Sequence, residues 1–501
     1  MSESFIHTMP LQISPETAKI LLIRLDAGRN LYNAILSESL SRLKKARASQ
    51  EWISARSLPN EKASERKKLF KCALKNAKFS EYDLHLFVKT IIKSCWIGDH
   101  IDSSTAQKTA TRAFLAVDGY RKGKRGKPRF KGVNQFKSIE GKSNLAGIRF
   151  KDGKIIWQGL SIPLLFDHKD RHGVEAHALL HKVKYVRIVK RRVHGTVRFY
   201  AQLVLEGKPL IKKKQILGKG KVGLDIGPST IAIYGEKADL LQFCPDLKKN
   251  QKKIRLIQRE MERSRRAANP KKFDSFGKIL SNQIPWNFSN KYRSLQIILE
   301  EEYRKMASHR KTQHGFLANR ILRIGIFIHT EKLSYKSFQR MFGRSVGLRA
   351  PGMFLGMLRR KAANAGGNVI EFSTQTTKLS QTCHNCGNQK KKSLNERWHK
   401  CSCGISPMQR DLYSAFLAYH VEENKLDRSQ AIKAWPGAES LLGQALSRCL
   451  QTANGKPLVS SFGIYQRQSG SPAKGRSTQH EVLCSNMRHD EECLCLATRT
   501  P

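Results

Sequence analysis

Two closely spaced cysteine pairs, Cys383-His384-Asn385-Cys386 and Cys401-Ser402-Cys403, constrain this chain more than any other feature. Each pair is followed by a glycine, Gly387 and Gly404. Four thiolates at such spacing suffice to close a tetrahedron around one structural Zn²⁺. The second pair has one spacer residue rather than two, so His384 or His399 could replace one sulfur. Four free, buried thiols are the alternative, but Lys390, Lys391, Lys392, Arg397 and Lys400 surround the pairs and offer no apolar core. No ligand position is left open, which argues against a catalytic zinc. A metal-folded ribbon is expected over residues 376–406, with Cys383, Cys386, Cys401 and Cys403 as ligands.

The other cysteines do not suggest disulfides. Cys72, Cys95, Cys244, Cys449, Cys484, Cys493 and Cys495 follow no compact framework, as expected of a chain kept in a reducing compartment. His480 and His489 stand near the last three, at irregular spacing and without apolar neighbours, so no second metal site is expected there.

Charge narrows the partner. With 92 Lys and Arg against 40 Asp and Glu, the formal net charge is +52, far beyond what solubility needs. The default partner is a polyanion, and nucleic acid fits best. No apolar run approaches the roughly 18 residues of a spanning helix, so no membrane partner is expected. Nothing points to a small-molecule substrate. The segment Met1–Thr8 lacks the basic start and apolar core of a signal peptide, and a cytoplasmic, nucleoid-associated protein is expected.

Hydrophobic period divides the chain. From Leu11 to about Tyr120 apolar residues such as Leu31, Ile35, Leu36, Leu40 and Leu43 recur at helical spacing, with Ser14-Pro15 as a helix start. A strip without helix potential follows, Arg121 to Lys131, in which Lys124, Arg125, Lys127, Arg129 and Lys131 are interleaved with glycine and proline. Such a strip suits a phosphate backbone, because glycine lets the main chain come close and each neutralised phosphate releases counterion. Between Gly147 and Glu206 the period becomes two, and His194-Gly195 offers a turn between antiparallel strands of a small barrel or sandwich. Lys248 to Arg266 reads as a basic helix with a thin apolar stripe, Ile254, Ile257 and Met261. Its one-signed excess, including Arg255, Arg259 and Arg263, favours backbone contact over a merely solvated face. Ala431 to Leu450 is amphipathic, and the Ser/Gly/Gln/Arg-rich tail beyond it has a disordered composition.

Three acids carry the chemistry. Val222, Leu224 and Ile226 of one strand face one way, which puts Asp225 on the opposite face, with Gly223 and Gly227 leaving room for a metal and a phosphate. Glu331 ends the apolar run Ile324–Thr330, expected to be a buried parallel strand, at the carboxyl end where open α/β sheets place functional groups. Asp411 opens a helix whose Ala415 and Ala418 let it lie close to a sheet, although it could also be a plain dipole-compensating residue. Alone each is ambiguous, since Asp225 could be a turn aspartate and Glu331 a surface residue. Together, three acids on two strands and a helix can share two Mg²⁺ ions about 3.5–4 Å apart, the apparatus of phosphodiester hydrolysis.

The order Asp225, Glu331, cysteine ribbon, Asp411 resembles the RuvC-like domain of the TnpB proteins, transposon-encoded RNA-guided DNA endonucleases related to the compact type V CRISPR effectors. Gly223-Leu224-Asp225-Ile226-Gly227 is similar to the first RuvC motif, Thr330-Glu331-Lys332-Leu333 to the second and Arg410-Asp411-Leu412-Tyr413-Ser414-Ala415 to the third. Thr377–Gly387 resembles the family's entry into its ribbon, and Gly126–Lys131 a segment typical of it. The resemblance spans residues 5 to 425. It implies an α/β multidomain protein: an RNase H-like (RuvC) nuclease with an inserted zinc ribbon, plus a β-barrel wedge domain interrupted by a helical recognition lobe. The implied boundaries are 1–14 for the first wedge strand, 15–120 for the recognition lobe, 121–215 for the wedge barrel, 216–375 and 407–425 for the nuclease, 376–406 for the ribbon and 426–501 for a helix and tail.

By the same resemblance Asp225, Glu331 and Asp411 are the catalytic magnesium ligands. A guide RNA from the transposon end and a double-stranded DNA target are the partners, the target being cut next to a short adjacent motif. The chain departs from the family in its Cys401-x-Cys403 spacing, in Tyr413 where asparagine is frequent, and in its long tail. A compact type V effector and a nuclease-inactive RNA-guided DNA binder are the alternatives.

Overall fold

Ser14 and Pro15 start the first helix as the sequence predicts, the Ser14 hydroxyl accepting from the Thr17 N–H at 3.2 Å. The computed structural model describes residues 3–212, 215–281, 283–393, 395–452 and 462–463. Strand β1 (Ser4–Pro10) leads into α1 (Pro15–Ala48), followed by α2 (Gln50–Ser57), α3 (Ala63–Asn76), α4 (Glu81–Ser94), the one-turn α5 (Ile97–His100) and α6 (Ser103–Arg121). Leu21, Leu25, Leu31, Ile35, Leu36 and Leu43 form the buried face of α1, whereas Ile20, Leu22 and Ile23 of the same apolar run remain exposed.

The next elements are β2 (Ser138–Glu140), β3 (Arg149–Lys151), β4 (Lys154–Trp157), β5 (Leu160–Pro163), α7 (Val174–Leu179), β6 (Val183–Val193) and β7 (Thr196–Glu206). His194 and Gly195, both at positive φ (50° and 78°), join β6 to β7 in the expected tight hairpin. The expected barrel is not what these strands form. They make an antiparallel four-stranded sheet, ordered β1-β7-β6-β2, and a separate β3-β4-β5 sheet, linked to the region after β1 by a bridge from Leu11 to Leu164. No pairing joins β1 to β2 among the described residues. Helices cover the β2 edge instead: the Arg112 guanidinium of α6 donates to the Ser138 carbonyl at 3.0 Å, and Gly28 of α1 packs on Phe136 and Ile139. An edge satisfied in this way has no need of a closing strand.

Helices and strands of this half share one continuous core, which runs from Leu21 and Ile35 to Trp157, Ile188 and Leu203. Asp102 ties them together, capping α6 at the Thr105 N–H and accepting from Trp157 Nε1, both at 2.9 Å.

The second half is built on a five-stranded sheet ordered β10-β9-β8-β11-β12. Its strands are β8 (Gly220–Ile226), β9 (Thr230–Tyr234), β10 (Asp239–Gln242), β11 (Gly325–Glu331) and β12 (Asn368–Phe372), with α8 (Lys248–Ala267), α9 (Asn290–Ile324), α10 (Tyr335–Arg349) and α11 (Pro351–Asn364) between them. β8, β9 and β10 form an antiparallel meander, while β11 is parallel to both β8 and β12. Val222, Leu224 and Ile226 enter a core with Ile321, Leu322, Phe354 and Leu358 of α9 and α11.

After β12 come α12 (Thr374–Thr377), β13 (Trp398–His399), β14 (Met408–Gln409), α13 (Arg410–Tyr419), β15 (Val421–Glu422), β16 (Lys425–Leu426) and α14 (Arg428–Thr452). Helix α13 lies on the other face of the sheet, packed with α14 over Ala232 and Tyr234. No described helix is long and apolar enough to cross a membrane. The tail that holds Cys484, Cys493, Cys495, His480 and His489 lies outside the described residues.

Candidate active site and metal centre

Register brings the first two acids together. β11 pairs Thr330 with Leu224 of β8, so Glu331 and Asp225 are the next residues along on neighbouring parallel strands and share the face opposite the Leu224 core. Helix α13 lies directly over that face. A Cβ on Gly223 would stand 2.1 Å from the Ala415 carbonyl oxygen and 2.6 Å from the Tyr419 nitrogen. Gly223 therefore admits the helix backbone rather than a metal or phosphate, which corrects the role expected of it. At Gly227 a Cβ would meet Thr230 Oγ1 at 2.9 Å, so this glycine makes room for the turn into β9. Ala415 and Ala418 are buried as the close approach requires.

This seating delivers Asp411, in the first turn of α13. It is buried, and its Oδ2 accepts from Thr230 Oγ1 of β9 at 3.2 Å. Gln409 caps the helix by accepting from the Leu412 N–H at 2.8 Å. Asp225 and Glu331 are half-buried. Burial pushes the Asp225 carboxyl well above its usual range, and the charges of Asp411 and Glu331 push it further, against the pull of Arg410 and Arg397. Asp411 is likewise raised by burial, opposed chiefly by Arg410 and Arg397. Burial alone raises Glu331 to about 7.

Three carboxylates with hard oxygen donors, each raised by burial and Asp225 also pressed by the charges of the other two, fit a divalent cation such as Mg²⁺. Among the described residues, the only group of three or more His, Cys, Asp or Glu ligand atoms lying within 4.8 Å of one another is the cysteine set, so the acids are not drawn into a single-ion shell. Asp225, Glu331 and Asp411 would be the residues to hold a pair of such ions, which would supply Lewis acidity for phosphodiester hydrolysis. Asp225 is the acid that feels both others.

The four cysteines do converge. Cys383 and Cys403 Sγ lie 3.7 Å apart and Cys386 and Cys401 Sγ 3.4 Å. Around a zinc with Zn–S near 2.3 Å, the tetrahedron edge would be about 3.8 Å, so this donor set fits one Zn²⁺. Backbone N–H donation from Ile405 lowers the Cys403 thiol to about 6, toward the thiolate a metal requires. Gly387 and Gly404 take positive φ (76° and 84°) at the two knuckles. At Gly387 a Cβ would also strike the Arg428 guanidinium at 2.5 Å.

Neither histidine belongs to the cysteine set. His384, lowered to about 4 by burial, is neutral. Tyr413 Oη accepts from its backbone N–H at 2.9 Å and is hydrogen-bonded to its Nδ1 at 2.8 Å. His399 stacks on the Tyr413 ring at 4.0 Å, and Trp435 of α14 closes the cluster. The ribbon is thus fastened to the helix that carries Asp411, two residues from that acid. Arg397 extends the connection, since its charge acts on both Asp225 and Asp411 and its carbonyl accepts from the Arg410 N–H at 2.8 Å. Sequence reading noted Tyr413 only as a departure and missed Thr230 and Gln409. Their polar side chains next to a strand and a helix start were the available signal.

The expected nucleic-acid contacts fall in two places. Lys124, Arg125, Lys127 and Arg129 are exposed on an irregular strip, and Lys131 is half-buried. Asn33 of α1 pins the strip by hydrogen bonds to both the N–H and the carbonyl of Lys131, at 2.8 and 2.9 Å. On α8, Ile254 and Ile257 are buried and Arg255, Arg259 and Arg263 exposed. The basic excess there is not wholly unpaired, because Lys253 meets Glu302 and Arg265 and Arg266 meet Glu262.

Residues 352–417 match the family model described as Cas12f1-like, TNB domain, a span that contains all four cysteines and Asp411. No curated protein matches the chain. Among solved structures, a cryo-EM structure of a Cas12f1-sgRNA-target DNA complex is similar at 13% identity and TM-score 0.43, covering 83% of this chain and 98% of that one. A CRISPR-Cas12f ternary complex is similar at 14% identity and TM-score 0.30, covering 79% and 81%. The mini-RNA-guided endonuclease CRISPR-Cas_phi3 is similar at 11% identity and TM-score 0.32, covering 86% and 92%.

Proposed function

We propose that the chain is an RNA-guided DNA endonuclease whose catalytic residues are Asp225, Glu331 and Asp411. The observation that carries this reading is that Asp225 and Glu331 follow each other in register at the carboxyl ends of parallel β8 and β11, with Asp411 in the first turn of the helix seated over them. Burial first, and the charges of Asp411 and Glu331 second, raise the Asp225 carboxyl there. When bound, a pair of divalent cations supplies the Lewis acidity for phosphodiester hydrolysis. The chain's own groups do the rest. Thr230 holds Asp411 in orientation, Gly223 lets α13 bring it over the sheet, and Arg397 and Arg410 add positive charge where an anionic strand would lie. The exposed strip 124–131 and the arginines of α8 bind nucleic-acid backbone in this reading. Residues 216–375 and 407–425 then form the nuclease, 376–406 a zinc ribbon, 15–120 the recognition lobe, and 1–14 with 121–215 the wedge.

A transposon-encoded enzyme and a compact type V effector share all of this. The match of residues 352–417 to a Cas12f1-like model favours the second. The genomic neighbourhood decides between them, a transposon end supporting the first and a repeat array the second.

The test is to purify the protein with its co-expressed RNA, sequence that RNA, and offer a DNA target complementary to its guide segment with magnesium. Wild type is expected to cut, and Asp225→Ala to bind the target through the same RNA without cutting. Cutting that survives the substitution would reject the acid assignment.

A further inference from the structure

A cleft of 370 Å³ lies between α8 and α10, lined by Gln251, Lys252 and Arg255 from the first helix and Arg344, Ser345 and Arg349 from the second. Its volume is within the roughly 300–1,000 Å³ of small-ligand sites. No carboxylate lines it.

Two of its residues build the wall. Arg349 is buried, its Nε donating to the Phe243 carbonyl and its Nη1 to Ser345 Oγ, both at 2.6 Å. Ser345 in turn donates to the Pro228 carbonyl at 2.5 Å. Pro228 lies in the loop that leaves β8, three residues beyond Asp225. The cleft wall is therefore fixed to the carboxyl end of the strand that carries the acid, where open α/β sheets form their crevices.

The other cations are differently placed. Lys252, Arg255 and Arg344 are exposed, and none has an ion pair or hydrogen bond among the described residues. The acids of α8 are occupied elsewhere, Glu260 with Lys291 and Glu262 with Arg265 and Arg266. Three unpaired cations around one concavity repel each other unless an anion enters. Helix α10 is kinked at Phe342 (φ −126°, ψ 34°), and the turn beyond the kink presents Arg344 to α8.

We infer that this cleft is a phosphodiester subsite, gripping the backbone of a nucleic-acid strand beside the acid cluster. The inference rests on the nuclease reading for its purpose, but not for its test. Arg344 and Arg255 offer the fork geometry that suits phosphate oxygens, and Lys252 adds a point charge.

Binding of fluorescein-labelled single-stranded DNA and RNA of one sequence is measured by anisotropy over a range of salt, without magnesium, so that no cutting is required. Arg344→Ala and Lys252→Ala are each expected to weaken binding about tenfold and to reduce the slope of log affinity against log salt by about 0.7. Arg340→Ala is the control, an exposed arginine on the same helix outside the cleft, and should stay within about twofold of wild type. Loss on DNA alone, RNA alone or both supports the subsite and shows whose phosphate it holds. Equal losses for Arg344→Ala and Arg340→Ala, or none for Arg344→Ala and Lys252→Ala, would overturn it. A protein that never cuts DNA could still pass, so the two readings fail separately.

Discussion

The cysteine set and the acid set both gather ligands of one charge, but by opposite routes. The thiols come from residues 383–403, the acids from residues 225–411. The ribbon holds its four sulfurs with two knuckle glycines and two-residue strands, and Cys386 is exposed. The acids are set by β8–β11 register and by a helix seated on a glycine, with raised pKa values as the consequence. A small element with little core depends on its metal to stay folded, whereas a sheet-built site is assembled in advance and carries its electrostatic cost within a stable core.

That contrast can be broken most forcefully at the ribbon. Cys383→Ser should release the zinc, measured by metal analysis of the purified protein, and open the ribbon to proteolysis while the sheet stays folded. Zinc ribbons draw on the order of 10 kcal/mol from their metal, so partial retention is not the expected result. Unchanged zinc content would show that other ligands hold the ion. Cooperative loss of the whole fold would show that the ribbon is not the separable element described above.

The acid site should respond to pH instead. Glu331 is raised from 4.5 to about 7, so the folded, metal-free protein binds this proton more tightly than the unfolded chain does. Its contribution to stability is fully present below about pH 4.5 and is lost as pH rises through about 7, an effect of up to about 3 kcal/mol. Urea unfolding in magnesium-free buffer should show this fall, Glu331→Gln should reduce it while the raised Asp225 and Asp411 carboxyls keep a remainder, and magnesium should restore stability at the upper end. A Glu331→Gln protein with the wild-type pH profile would place the titration elsewhere.

How much of this was readable in the chain follows from the same contrast. Cysteine spacing is local chemistry, so the ribbon could be read without knowing the fold. Strand alternation put Asp225 opposite Val222 and Leu224, and the short apolar run put Glu331 at a strand end, because periodicity needs only a few residues. What stayed hidden depends on partners far apart in sequence. The α13 backbone over Gly223, the Thr230 bond to Asp411 and the reach of Arg397 into the acid site are all tertiary facts. The barrel expectation failed for the same reason. Alternation identifies strands, but whether the β2 edge meets another strand or Arg112 of a helix is decided by packing.

The smallest expected effect tests whether the two sets are joined. Tyr413 stands on the acid-bearing helix and touches the ribbon through the His384 N–H and Nδ1. Tyr413→Phe keeps the ring beneath His399 and beside Trp435 and removes only the hydroxyl. It strands two buried polar atoms of His384, at a cost of about 1–3 kcal/mol. The denaturant midpoint of the zinc-loaded protein should fall accordingly, and zinc should pass faster to a chelator, although all four thiols remain. If stability falls while zinc release is unchanged, the phenol merely packs a core. If both are unchanged, the ribbon and the acid helix are neighbours without energetic connection, and the metal centre could be altered without disturbing Asp411.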